Sequence, residues 1–339
     1  HDGDAPMPKD GIFSIMSMTK PITAMGIMVL QDDGKLAITD PVEKYLPEFK
    51  GQRVLASNDK GSDTQTLVKV SRPITLKDLL THTSGQPDLP AGLDDLMRTR
   101  NRTLSEVVAI DSQQPLLFQP GTQWKYSSAG MDTLGRIIEV VSGQSYEDFL
   151  AERFFKPLAM NDTGFYVEDK NASRIAEVCG LRQGKLVAST SLPNARVAVP
   201  TVKPMYPCPA GGLYSTAADL SRLYRALLNG GQLDGVRVIP ESTLHTMTRT
   251  QTGELETGFS PGMSYGYGFA VVKKPQGVTG MLSPGTFGHG GAFGTQIWAD
   301  PVKNVYYILL IQRTGLKNSD SSDMRMQFQT LAAAAVDGK

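Results

Sequence analysis

Apolar positions recur along this chain in two rhythms, and the change from one to the other organises it. Residues 21–30 form an apolar run that predicts a helix, ended at Gln31-Asp32-Asp33-Gly34-Lys35 with Gly34 just past its last turn. Ile12, Phe13 and Ile15 lead into it as a strand-like approach. A short helical turn is expected over 42–46, closed by Pro47. Leu76, Leu79 and Leu80 share a face behind Thr75, a helix-capping residue, and 103–112 reads as a second short helix. Leu134, Ile137, Ile138 and Val141 recur at i, i+3, i+4, i+7, the stripe of an amphipathic helix over 131–141 that stops at Ser142-Gly143. Further helices are expected over 146–155, over Ala217–Leu228 with Ser215 or Thr216 as cap, and over Asp323–Val336.

The last third is β-rich at 265–272, 294–299 and 305–312, with turn signals at Lys274-Pro275-Gln276-Gly277 and Asp300-Pro301. Short connections imply antiparallel neighbours, so the chain is expected to be α+β. Two stretches break the rhythm. Residues 51–70 are polar and read as a long loop, and 169–209 are irregular, with several prolines.

Composition narrows the function classes. At 339 residues the chain can bury a large core in one large or two interleaved domains. With 34 basic and 34 acidic residues the formal net charge is zero, which gives no footprint for nucleic acid or an anionic membrane. No apolar run approaches the ~20 residues that span a bilayer. Cys179 and Cys208 make neither a disulfide framework nor a metal site and read as two free thiols. No metal and no cofactor is expected. No signal peptide is visible at His1-Asp2-Gly3-Asp4, but the chain opens abruptly in a turn-like stretch, and preceding residues are expected to be absent; the compartment stays open.

The chemistry centres on Ser17-Met18-Thr19-Lys20 at the mouth of the first apolar helix. Residues i and i+3 of a helix share a face, so the Lys20 amine can reach the Ser17 hydroxyl, and the helix N-terminus points free N–H groups at the same place. Pro21 disfavours helical geometry at Lys20, so the helix must begin near Ser17 or Met18 or be loose in its first turn. The spacing alone is weak: Ser57-Asn58-Asp59-Lys60 repeats it in a polar run. His82 stands at a helix end and is read as a cap on free carbonyls.

Ser17-Met18-Thr19-Lys20, Tyr126-Ser127-Ser128 and His289-Gly290-Gly291, in this order, together with the runs 79–85 and 211–215, resemble the serine β-lactamase and penicillin-binding-protein superfamily. The nearest branch is the class C β-lactamase-like hydrolases of the family VIII carboxylesterase type. The resemblance implies an antiparallel sheet flanked by helices (1–34 and 262–339), a mostly helical domain (35–261), and an active site between them. By the same resemblance Ser17 is the acyl-accepting nucleophile, Lys20 and Tyr126 share the proton work, and the Ser17 and Ala292 backbone N–H groups form the oxyanion hole. Ser128, His289, Gly290 and Gly291 would line the substrate site.

Three departures matter. Ser128 and His289 stand where β-lactamases of this class carry asparagine and lysine, and a neutral histidine is a poor substitute for a fixed cation facing a substrate carboxylate. Only about sixteen residues precede Ser17, where the resemblance implies a helix and two strands, so missing strands and an exposed sheet edge are expected. The implied function is a carboxylesterase on short-chain esters, with a small-molecule ester or amide as substrate and the oligomeric state left open. The alternatives are a β-lactamase, a D-amino-acid peptidase or amidase, and a penicillin-binding sensor that stays acylated. A Ser-His-Asp hydrolase is disfavoured, with no G-x-S-x-G elbow assigned.

Overall fold

The computed structural model describes residues 7–57, 66–88, 99–189, 200–316, 319–336 and 338. Its centre is the helix Thr19–Asp32, in which every residue from Thr19 to Leu30 is buried. A helix apolar on all sides has no face for solvent and must be surrounded. It packs so closely on the helix Ser128–Ser142 that a Cβ on Gly26 would stand 2.8 Å from Ile138 Cδ1. Pro21 is tolerated because it is the third helical residue, where the amide has no intrahelical partner to lose. A tight 3-10 turn, Met16–Met18, carries the chain into the helix. At the far end Gly34 adopts φ 70°, the left-handed conformation of a helix stop.

The other helices start where their caps stand. Thr75 accepts from the Asp78 amide while Asp78 bonds back, and Thr103 and Glu106 repeat the arrangement ahead of Leu104–Ser112. Ser128–Ser142 begins ahead of its apolar stripe because Ser127 Oγ accepts the Gly130 N–H at 3.1 Å. Thr216, not Ser215, caps Ala217–Leu228, and Asp323–Val336 forms as expected. The 146–155 segment is α-helical over Tyr146–Leu150 and continues as a π turn, Ala151–Phe155.

Five antiparallel strands form the main sheet in the order Val305–Leu309, Gln296–Asp300, Phe287–Gly290, Ala270–Val272, Met263–Tyr265. Antiparallel sheet with helices makes the chain α+β, as expected. The β-rich 265–272 segment is a hairpin, with Ala270 opposite Tyr265 across a turn in which Gly268 takes φ 77°. One expectation needs correction: the 51–70 stretch is not simply a loop, because Arg53–Ser57 pairs antiparallel with Thr66–Lys69. Ser57 ends that strand, and Lys60 of the accidental Ser-x-x-Lys lies outside the described residues. Within 169–209 a 3-10 turn, Asp169–Arg174, precedes a hairpin of Cys179–Arg182 with Lys185–Ala188, and 190–199 lie outside the described residues. Both cysteines are free. Among the described residues no helix is long and apolar enough to cross a membrane.

One core residue sets a pH dependence. Asp111 is 1% exposed, and among the described residues neither of its carboxyl oxygens has a hydrogen-bond partner. Burial first, then the charges of Asp132 and Asp88, push its pKa up to about 8. An unfolded aspartate titrates near ~3.9, so between that pH and about 8 the folded chain holds a proton that the unfolded chain has lost. Its contribution to stability is complete below the lower value and falls as pH rises through the higher one. Asp111→Asn is therefore expected to melt near the parent temperature at pH 5 and clearly above it at pH 9, measured by paired thermal melts.

Candidate active site

The turn that carries Ser17 is held from both sides. Phe13–Ser14 pairs with Tyr214–Ser215, and the next residue, Ile15, donates its N–H to Leu213 O at 3.0 Å. Ile15 O in turn accepts from Thr295 Oγ1 at 3.3 Å. Between these anchors Met16 takes φ 48°, an unfavourable conformation for a side-chain-bearing residue. Such strain persists only where the surroundings over-determine it. Gly291 and Gly211 supply that enclosure: a Cβ on Gly291 would lie 2.6 Å from Ile15 O, and one on Gly211 would lie 3.4 Å from the Met16 carbonyl carbon. Ser17 emerges from this turn half-buried.

Lys20 is 1% exposed, and a buried amine needs partners. Its Nζ donates to Ala210 O at 2.7 Å and to Ser17 Oγ at 3.2 Å, and stands 4.6 Å from the centre of the Tyr126 ring. The Ala210 peptide is itself held, since its N–H donates to Asp132 Oδ1 at 3.1 Å while Tyr206 donates its hydroxyl to Asp132 Oδ2. Burial pushes the Asp132 pKa up to about 6, against the Tyr206 hydrogen bond and the Lys20 charge. Sequence reasoning missed Asp132. Its only signal is a charged residue next to Met131 near the start of the helix Ser128–Ser142.

Tyr126 is half-buried beside Lys20. Burial raises its pKa, and the Lys20 charge with Lys20 and Ser17 beside its hydroxyl pulls the other way, so the group rests as a phenol at neutral pH. Its ring lies 4.6 Å from His82 and 5.2 Å from Phe259, with Trp124 5.4 Å from Phe259, so one wall of the site is aromatic. Ser128 is the first residue of its helix and donates its N–H to Asp88 Oδ1 at 2.6 Å.

His289-Gly290-Gly291 runs along the other side. His289 is 1% exposed, with Nε2 3.1 Å from the Tyr265 hydroxyl and Nδ1 2.7 Å from Gly290 O. Burial, then the Lys20 charge, holds its pKa down at about 3, so the imidazole is neutral. Gly290 admits no side chain, since a Cβ would stand 2.0 Å from Asp320 Oδ1. Ala292 is exposed, and neither its N–H nor that of Ser17 has a hydrogen-bond partner among the described residues.

Two sequence readings are corrected here. His82 caps no helix carbonyls: it turns inward with φ 58°, accepts the Ser127 N–H on Nδ1 at 3.3 Å, and places Nε2 3.2 Å from the Tyr265 hydroxyl. Burial and the nearby Lys20 charge push its pKa well down. The chain also does contain a G-x-S-x-G string, Gly262-Met263-Ser264-Tyr265-Gly266. It makes no elbow, because Ser264 lies inside the strand Met263–Tyr265, 1% exposed, with its hydroxyl bonded to Thr252 Oγ1 at 3.0 Å.

The chain is similar to known proteins. A family model described as Beta-lactamase matches residues 1–331. Protein Rv1367c of Mycobacterium tuberculosis (strain ATCC 25618 / H37Rv) is 35% identical over 327 residues, covering 92% of this chain and 80% of that protein. Esterase EstB of Burkholderia gladioli is 29% identical over 330 residues, covering 90% and 78%. Among solved structures, EstCE1, described as a hydrolase with promiscuous acyltransferase activity, superposes with TM-score 0.77 at 24% identity, covering 97% of this chain and 86% of that one.

Lys20 Nζ and the Tyr126 hydroxyl both stand against the Ser17 hydroxyl. Lys20→Ala is expected to slow fluorophosphonate labelling of Ser17 by about a hundredfold or more, followed by intact-protein mass spectrometry. Gly291→Ala, which forces a methyl against Ile15 O, is expected to cost about a hundredfold in turnover while the chain still melts cooperatively.

Proposed function

This chain belongs to the Beta-lactamase family of serine hydrolases, and from that premise we propose that it is a carboxylesterase acting on short-chain esters through an acyl-enzyme on Ser17. In this reading Ser17 Oγ attacks the ester carbonyl, and Lys20, bonded to that oxygen, takes its proton. Tyr126, at rest a phenol against the Lys20 amine, passes a proton to the departing alkoxide. Water then attacks the acyl-enzyme, with the same pair exchanging the proton in reverse. The unpartnered N–H groups of Ser17 and Ala292 receive the carbonyl oxygen as it becomes an oxyanion; one such donor is worth about 3 kcal/mol in the transition state. The same reading divides the chain into a sheet unit (1–34 and 262–339) and a mostly helical unit (35–261), with the cleft between them.

The observation that carries the ester preference is the state of His289. It occupies the position from which a lysine would face a substrate carboxylate, yet it is neutral, buried, and committed to Tyr265 and Gly290. It offers a carboxylate-bearing β-lactam no cation, whereas a simple ester needs none. The aromatic wall of Trp124, Tyr126 and Phe259 suits an uncharged acyl or alcohol group. The similarity to Esterase EstB supports the same choice.

Parallel assays test it. p-Nitrophenyl acetate is expected to turn over repeatedly and far faster than nitrocefin, and Ser17→Ala is expected to abolish both. Nitrocefin turnover rivalling the ester would make the chain a β-lactamase instead, and a stable Ser17 adduct without repeated turnover would make it an acylated sensor.

A further inference from the structure

Beneath the cleft lies a set of buried polar groups that the proposed reaction does not use: His82, Tyr265 and His289. Tyr265 is 0% exposed and its hydroxyl touches both imidazoles, at 3.2 Å to His82 Nε2 and 3.1 Å to His289 Nε2. The outer ends fix the direction of every bond. Ser127 donates its backbone N–H to His82 Nδ1, so that nitrogen is the acceptor and the proton of a neutral ring sits on Nε2. His289 Nδ1 faces Gly290 O, which can only accept, so its proton sits on Nδ1 and its Nε2 is an acceptor. His82 Nε2–H therefore donates to Tyr265, and Tyr265 donates to His289. Gly268 O lies 3.3 Å from the same hydroxyl and is the competing acceptor, but donation there would leave His289 Nε2 facing a lone pair.

The ends of this chain lie on opposite walls of the site. One is the Ser127 peptide, directly after Tyr126 and at the cap of Ser128–Ser142. The other is the Gly290 carbonyl, at the end of the strand that leads to Gly291 and Ala292. We infer that Tyr265 is a positioning residue whose hydroxyl, through two neutral histidines of opposite tautomer, sets the Tyr126 wall and the Gly290-Gly291 edge at a fixed separation across Ser17. The inference rests on the reading of Ser17, Tyr126 and Ala292 as the reacting groups. It gives His289 a role of its own: the residue standing where a cation would be is the acceptor end of a relay that must stay neutral to work. Chains of this kind are directional, so losing the central hydroxyl leaves a donor and an acceptor unpaired at once.

The test reads protonation and catalysis separately. In the parent protein at neutral pH, 15N-labelled imidazoles are expected to show His82 protonated on Nε2 and His289 on Nδ1. Tyr265→Phe removes one oxygen and no volume from the core; it is expected to lower kcat for p-nitrophenyl acetate by about tenfold to a hundredfold with KM nearly unchanged, and to alter the tautomer of at least one histidine. Identical tautomers in the parent protein, or parent-like kcat in Tyr265→Phe, would overturn the proposal, and the first of these needs no variant to fold. Undiminished turnover by Ser17→Ala would instead overturn the reading of the site while leaving the tautomer result standing.

Discussion

A lysine amine buried in the centre of the protein is the constraint on which the rest depends. Lys20 is 1% exposed on a helix with no solvent face, so its amine has to find every partner inside. The fold meets that requirement with two acceptors, Ala210 O and Ser17 Oγ, and the face of Tyr126. Each partner brings its own support: Asp132 and Tyr206 behind Ala210, the strained Met16 turn behind Ser17, the His82 imidazole behind Tyr126. The Ser17 hydroxyl is thus held by the same amine whose burial the interior has to satisfy.

Close backbone approach is the second element. The strand Phe287–Gly290 can lie against the nucleophile turn only because Gly291 carries no side chain to meet Ile15 O, and Gly290 none to meet Asp320. The charge of Lys20 also reaches further than its contacts. It lowers the pKa of both His82 and His289, in each case second to burial, so neither ring adds a cation to the site.

Much of this was legible in the sequence because it lives in local pattern. The apolar run after Ser17, the stripe Leu134-Ile137-Ile138-Val141, the cap Thr75, and the spacing of Ser17 and Lys20 all follow from helix periodicity and end chemistry. What escaped depends on contacts between residues far apart in the chain. His82 looks like a helix-end cap until a tyrosine 183 positions later meets it. Asp132 is one acid in an apolar helix until the Ala210 peptide arrives. The 51–70 stretch hides a hairpin because a polar run of sequence, 58–65, separates its two short strands. The G-x-S-x-G string around Ser264 shows the reverse error, a motif with the right letters set in the wrong element.

The central claim is that Ser17, activated within this buried network, carries the acyl group. The most direct measurement is rapid acid quench of the enzyme with p-nitrophenyl butyrate, followed by peptide mass mapping. A butyryl group on the peptide containing Ser17, formed and lost within the turnover time, is the predicted result. Repeated turnover with no acyl group on that peptide, or with the group on another residue, would contradict it.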